Sequence, residues 1–377
     1  MHIIPIRTLA ATALGAAFFL ACNNDEPTAE STATPTTGTA DAVALPRLIR
    51  QESGTTERLQ AISPVNENVA WASGTGGTYT RTTDGGKHWH AAVVPGAETL
   101  EFRDVQAVSA DVAYLLSAGT GTDARVYKTT DGGKHWTLQF KNHNPDAFYD
   151  CFAFWSPTRG IAMADGVNGR FPVIRTEDGQ HWSLIANKLP AAQPGEAAFA
   201  ASGTCVATFG SNLGWITTGG AEHARILRTA DGGDTWKAFD TPIVQGTPVS
   251  GGFTVAFRDN LHGILAGGDL DHPDRRSNNI AVSSDGGRTW QSVTHSPFDG
   301  AVFGLSYVPT GHAGPAARTV VITGPGGAAW SGNEGAVWHR LPNVVNFWAT
   351  AFASRARGWL VGTDGRIIAV EFPPLGS

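Results

Sequence analysis

The residues that could do chemistry in this 377-residue chain are scattered. His88, His135 and His181 each stand immediately before a tryptophan. Imidazoles ligate zinc, but ligands must converge on one ion. These three hold the same place in successive copies of a repeat, which spreads them apart, so they read as turn histidines beside Trp. Gly268 to Arg276 gathers Asp269, Asp271, His272, Asp274, Arg275 and Arg276. Three Asp and one His suit a hard cation such as calcium, yet no ligand-loop spacing is matched. The stretch reads as a mixed-charge surface loop and is kept as a candidate binding loop. No cofactor is expected. Asp104, Asp150, Glu196, Asp271 and Asp299 supply loop carboxylates, and a glycosidase needs two of them flanking one bond. Nothing in their spacing pairs any two. No nucleophile elbow, P-loop, dinucleotide fingerprint or Cys–His metal spacing occurs, so no catalytic residue is assigned. Among the cations, arginines outnumber lysines, 21 to 6, and Arg suits planar, bidentate interface contacts. Arg81, Lys128, Arg175 and Arg228 recur at one repeat position and form the candidate partner-binding sector. The plainer reading pairs each with an acid of the neighbouring repeat.

The element that positions these residues is itself the strongest signal in the chain. Thr82-Thr83-Asp84-Gly85-Gly86-Lys87-His88-Trp89 returns with its tryptophan at Trp136, Trp236 and Trp290, and in degraded form at Trp182 and Trp338. The acidic position is read as Asp84, Asp131, Glu177, Asp231, Asp285 and Asn333. Asp accepts from the backbone N–H groups that follow it, and Gly supplies positive φ without steric cost. The Ser or Thr hydroxyl bonds local backbone, and the Trp packs back as an anchor. The motif is therefore a hairpin turn. Upstream of each box lie two strand-like runs, such as Leu59–Pro64 and Val69–Gly74. Four strands per unit of ~40–50 residues predict a propeller blade. A seventh unit, from Phe347 to Val370, lacks its last strand, and Arg47 to Gln51 precedes the first unit as a spare one. The expected fold is all-β: a single seven-bladed β-propeller with Asp-box repeats, residues 47–372, its ring closed by the N-terminal strand. Closure removes two exposed sheet edges.

Composition agrees with tight turns and strands: 46 Gly, 12 Trp and 16% charged residues. A net charge of -6 argues against a nucleic-acid partner. Residues 1–21 carry Arg7, an apolar run from Thr8 to Leu20 and Leu20-Ala21-Cys22, the layout of an export signal. Cys22 is the expected lipidation site. Residues 22–46 read as a flexible, lipid-anchored linker, and 373–377 as a tail. The expected location is the periplasmic face of a bacterial membrane, otherwise the periplasm. Cys151 and Cys205 fall at equivalent places on adjacent inner strands. A bridge is conceivable there, but inner strands of neighbouring blades usually diverge, so buried free thiols are expected.

The boxes are identified as Asp-boxes, or BNR repeats. The chain from Arg47 to Phe372 resembles the photosystem II stability/assembly-factor-like family, as an exported bacterial member. The matching residues are Gly214-Trp215-Ile216-Thr217 before the box ending at Trp236, and Gly358-Trp359-Leu360-Val361-Gly362. The resemblance implies a non-enzymatic scaffold that binds a membrane or envelope protein complex. The alternative is a carbohydrate-active propeller, a glycoside hydrolase or a lectin-like glycan binder. Sialidases share the boxes but need an Arg-Ile-Pro motif, an arginine triad and a Tyr nucleophile. Arg-Ile-Pro is absent here, and Tyr79 and Tyr127 sit beside boxes, where a structural role is expected.

Overall fold

A computed structural model describes residues 45–185, 188–272, 274–276, 278–310 and 318–374. Cys22, the export signal and most of the linker lie outside the described residues. Within them there are 28 strands, short 3-10 turns and no α-helix. The strands fall into groups of four consecutive antiparallel neighbours. In the first, Leu59–Pro64 pairs with Ala70–Gly74, which pairs with Thr78–Thr82, which pairs with His90–Val93. The second and third groups also join through Phe148 and Tyr149, which pair with Thr120 and Gly119.

The box geometry recurs down the chain. Thr82 Oγ1 donates to Asp84 Oδ1 (2.9 Å), Gly86 N donates to Thr82 Oγ1 (2.9 Å), and His88 N donates to Asp84 Oδ1 (3.0 Å). Asp131, Asp231, Asp285 and Asn333 repeat the pattern. In the third group the acid is Asp178, not Glu177: Thr176 Oγ1 donates to Asp178 Oδ1, which also accepts from the N–H groups of Gln180 and His181. One glycine is missing after the acid, so aligning from the tryptophan misplaces it by one residue. Glu177 instead pairs with Arg159 and Arg175.

Ala, Val, Ile and Leu make up most of the buried core, and its largest side chains are aromatic, several of which reach from one group to the next. Trp71 Nε1 donates to Ser109 O, Tyr79 Oη to Gly133 O and Trp215 Nε1 to Gly286 O. Each such bond satisfies a polar tip whose ring is buried. The last group has only three strands of its own. Its fourth is Arg47–Glu52, antiparallel to Arg366–Glu371 over six residue pairs from Arg47↔Glu371 to Glu52↔Arg366. Gln51 of that strand accepts through Oε1 from both Trp89 Nε1 (3.0 Å) and Trp359 Nε1 (3.1 Å), and its Nε2 donates to Gly85 O. One side chain thus ties the first group to the last.

The innermost strands are Leu59–Pro64, Glu101–Ala107, Phe148–Ser156, Val206–Phe209, Ser250–Phe257, Gly304–Tyr307 and Phe347–Ser354. Each packs against the next, and the last packs against the first. They approach closely enough for Cys151 and Cys205, with Cα atoms 6.0 Å apart, to form a disulfide. This corrects the expectation of free thiols. Cys151 follows the bulge at Asp150 and Cys205 directly precedes Val206–Phe209, and there the neighbouring inner segments converge rather than diverge.

Candidate functional site

The four cations of the expected partner sector are already engaged. Arg81 Nη1 donates to Ala110 O (2.5 Å), and the guanidinium lies 5.3 Å from the Trp71 ring centroid. Lys128 Nζ donates to Gly179 O (2.8 Å). Arg175 pairs with Glu177 (2.8 Å) and with Asp234 of the next group (2.9 Å). Arg228 Nε donates to Gly286 O (2.7 Å). Every one reaches forward into the following group: Arg81, Lys128 and Arg228 to a box or turn carbonyl, Arg175 to Asp234, with Arg81 also 4.0 Å from Asp111, so the plainer reading of pairing with a neighbouring acid holds for Arg81 and Arg175. Their repeat position carries inter-group stitching.

The candidate loop is organised around Asp269, which is buried. Its carboxylate accepts from Asp271 N (3.1 Å), meets His272 Nδ1 (2.9 Å) and pairs with Arg275 (3.5 Å). Arg276 pairs with Asp299 (3.2 Å), while Asp271 and Asp274 are exposed. Among the described residues, no group of three or more His, Cys, Asp or Glu side chains is placed to hold a metal ion. The three box histidines each face their own box acid, with Nδ1 2.6–2.7 Å from Asp84, Asp131 or Asp178. They do not converge.

One tyrosine does meet an acid. Tyr307 Oη donates to Glu334 Oε1 (2.9 Å), and Arg258 (2.7 Å) and Arg318 (2.9 Å) hold the same carboxylate. Glu334 sits at φ 56, where other boxes carry glycine. Arg258, Arg318 and Glu334 line a polar recess of about 400 Å³ with His262, Ser283 and Thr289. Burial first, and then the charge of Glu334, push the Tyr307 hydroxyl well above its ordinary range. A phenol held so firmly neutral is a poor nucleophile.

A more concentrated set of unusual residues lies on the inner ring, at a repeat position the sequence reading did not single out, although it named Asp104 and Asp150 as loop carboxylates; both lie instead in inner strands, Glu101–Ala107 and Phe148–Ser156. Five inner strands carry a register shift near their start, at Leu59/Ala61, Phe102/Asp104, Tyr149/Cys151, Gly252/Thr254 and Phe347/Ala349. The extra residues are Gln60, Arg103, Asp150, Phe253 and Trp348. Bulges re-aim a side chain out of the regular alternation and cluster near functional sites. The ring is two-sided. On one side, Arg103 pairs with Glu101 (2.6 Å), and Arg58 pairs with the same Glu101 (3.6 Å). Asp150 is fully buried, and burial, then the neighbouring charge of Asp165, push its carboxyl well above the usual range. Asp165 is pushed up to about 6 by burial. On the other side runs an aromatic arc, Phe253–Phe303 (6.0 Å between centroids) and Phe303–Trp348 (4.8 Å), against which Phe199 of the segment before the fourth inner strand packs (4.2 Å from Phe253), with Arg58 4.8 Å from the Trp348 ring. The signal that marks it is a comparison of the repeats with one another at this offset, which carries Gln, Arg, Asp, Phe and Trp.

No family model matches the chain, and no curated protein matches it. Among solved structures, YCF48 bound to a D1 peptide is similar, with a TM-score of 0.59 and 15% identity over 88% of this chain and 98% of that one. YCF48 from Cyanidioschyzon merolae is similar too, with a TM-score of 0.57 and 17% identity over 86% of this chain and 98% of that one. The WD40 β-propeller domain of Doa1 gives 0.55 and 15% over 87% and 96%. The fold is an all-β propeller.

Proposed function

We propose that this chain is a non-enzymatic scaffold: a seven-bladed propeller, closed by Arg47–Glu52, that binds a membrane or envelope protein and helps its complex assemble. The carrying observation is the propeller's likeness to YCF48, one structure of which holds a D1 peptide. A rigid ring of this kind offers a preformed surface, which lowers the ordering cost of binding. The seven-blade count is supported by seven groups of four strands and by contact between the last inner strand and the first. We further propose export and lipid attachment at Cys22, with residues 47–372 as the folded domain and 22–46 as the tether. Mass spectrometry of the mature N-terminus tests the anchor, and an unlipidated terminus downstream of Cys22 removes it. The scaffold reading is tested by mild crosslinking in the native envelope followed by affinity isolation. One membrane protein enriched over a control propeller is expected. Enrichment of none, together with hydrolysis or retention of a polysaccharide from a panel, replaces the scaffold with the carbohydrate-active alternative.

A further inference from the structure

The segment Ala198–Gly203 lies across the mouth of the ring, and each side of the ring meets a different part of it. Its backbone is met by the polar side. Ala198 N donates to Asp165 Oδ1 (2.9 Å), the Ala200 backbone hydrogen-bonds Asp150, and Arg103 Nη1 donates to Ala200 O (3.5 Å). Its side chains are met by the aromatic side. Phe199 packs on Phe253, and Ala201 packs among Phe253, Ala301 and Phe303. Ser202 Oγ then donates to Phe303 O (2.6 Å), just before the inner strand Gly304–Tyr307. At Gly203 (φ 75) a Cβ would press into the Asp104 carboxyl and Arg103 O, so the chain leaves the mouth through a glycine. Both ends of the crossing are pinned. Ala197 exchanges two backbone hydrogen bonds with Gly219, the buried Glu196 carboxylate is held by Arg225, and Cys205 is in the disulfide.

A set of side chains that satisfies peptide N–H and C=O groups on one flank and seats an aromatic residue on the other is a receptor for an extended peptide. We propose that the mouth of the ring is a peptide-recognition site held closed in cis by Ala198–Gly203, which a partner's extended segment enters only by displacing it. The favoured occupant carries an aromatic residue followed by small ones, as Phe199-Ala200-Ala201-Ser202 does. The inference rests on the partner-binding reading above. Occupation in cis lowers apparent affinity in trans by the fraction of time the site is open.

The test uses the whole chain. A fluorescein-labelled, end-blocked peptide Ala-Phe-Ala-Ala-Ser-Gly is titrated by anisotropy against wild type and against a Phe199→Ala, Ser202→Ala variant. The variant is expected to bind at least about ten-fold more tightly than wild type, as weakening the internal competitor requires. The same peptide with Ala in place of Phe should not saturate. Equal affinity for both proteins, or no saturable binding to a variant with native circular dichroism, overturns the proposal. Should that variant fail to fold, Phe253→Ala in the intact chain is read by hydrogen exchange. Faster exchange at the Ala198 and Ala200 amides with the remaining amides unchanged supports a separately seated segment, and unchanged exchange at those two overturns it. A captured protein partner that leaves exchange of 198–203 untouched sinks the competition idea while leaving the scaffold intact.

Discussion

At the residue scale, two kinds of carboxylate pull stability in opposite directions with pH. The His135 N–H first, and then its ring, draw Asp131 down to about 2; the His88 N–H and ring lower Asp84 in the same way, and the His181 ring first and then its N–H lower Asp178. A depressed carboxylate stabilises the fold above its unfolded range near ~4 and loses that contribution as pH falls through its folded value. Asp165 does the reverse. Raised to about 6, it binds its proton more tightly in the folded state, so its contribution is greatest below ~4 and is lost as pH rises through 6. Asp165→Asn keeps an acceptor for the Ala198 N–H and removes the charge. It should raise stability at pH 7–8 by on the order of 1–3 kcal/mol, with no gain below pH ~4, read by urea unfolding across pH. The stitching cations make a second prediction. Changing Arg81, Arg175 and Arg228 together to Glu should lower Tm markedly, since the Ala110 and Gly286 carbonyls lose charged donors worth roughly 1.5–3 kcal/mol each and Glu177 and Asp234 lose their shared cation. An unchanged Tm in a thermal scan would show that these side chains are free surface after all.

At the element scale, Arg47–Glu52 is held by its ladder with Arg366–Glu371 and by one amide. Gln51→Ala leaves the Trp89 and Trp359 indoles without their shared acceptor and should cost about 1–3 kcal/mol. Removing residues 46–52 should abolish cooperative unfolding, and a truncated protein with an unchanged Tm would refute the closure. The boxes were legible because their physics is local: a hydroxyl, an acid and a glycine four residues apart write the turn directly into the chain. Asp178 was misread because a deletion shifts the frame while leaving Glu177 as a plausible acid. The inner ring was not legible, since a bulge and its register are set by pairing between strands. Asp150 and Asp165 meet only because separate strands and a loop converge. The inter-group role of Arg81 and Lys128 shows in their shared position, but their acceptors are carbonyls, which no residue type announces.

At the scale of the whole molecule, the disulfide joins the inner strands of the third and fourth groups, 54 residues apart. A thiol reagent applied to denatured, unreduced protein should leave Cys151 and Cys205 unlabelled, and labelling of both would remove the bridge. Replacing both by Ala should cost roughly 2–4 kcal/mol. The pairing of Arg47–Glu52 with Arg366–Glu371 also sets a clock. Synthesis proceeds at ~5–20 residues per second, so the first strand waits roughly 15 to 60 s for its partner to emerge. During that wait its backbone is an open edge, the kind of template on which chains aggregate. Arg47, Arg50 and Glu52 place charge at half of its six positions, the composition that keeps an unpaired strand from finding the wrong neighbour before the right one has been made.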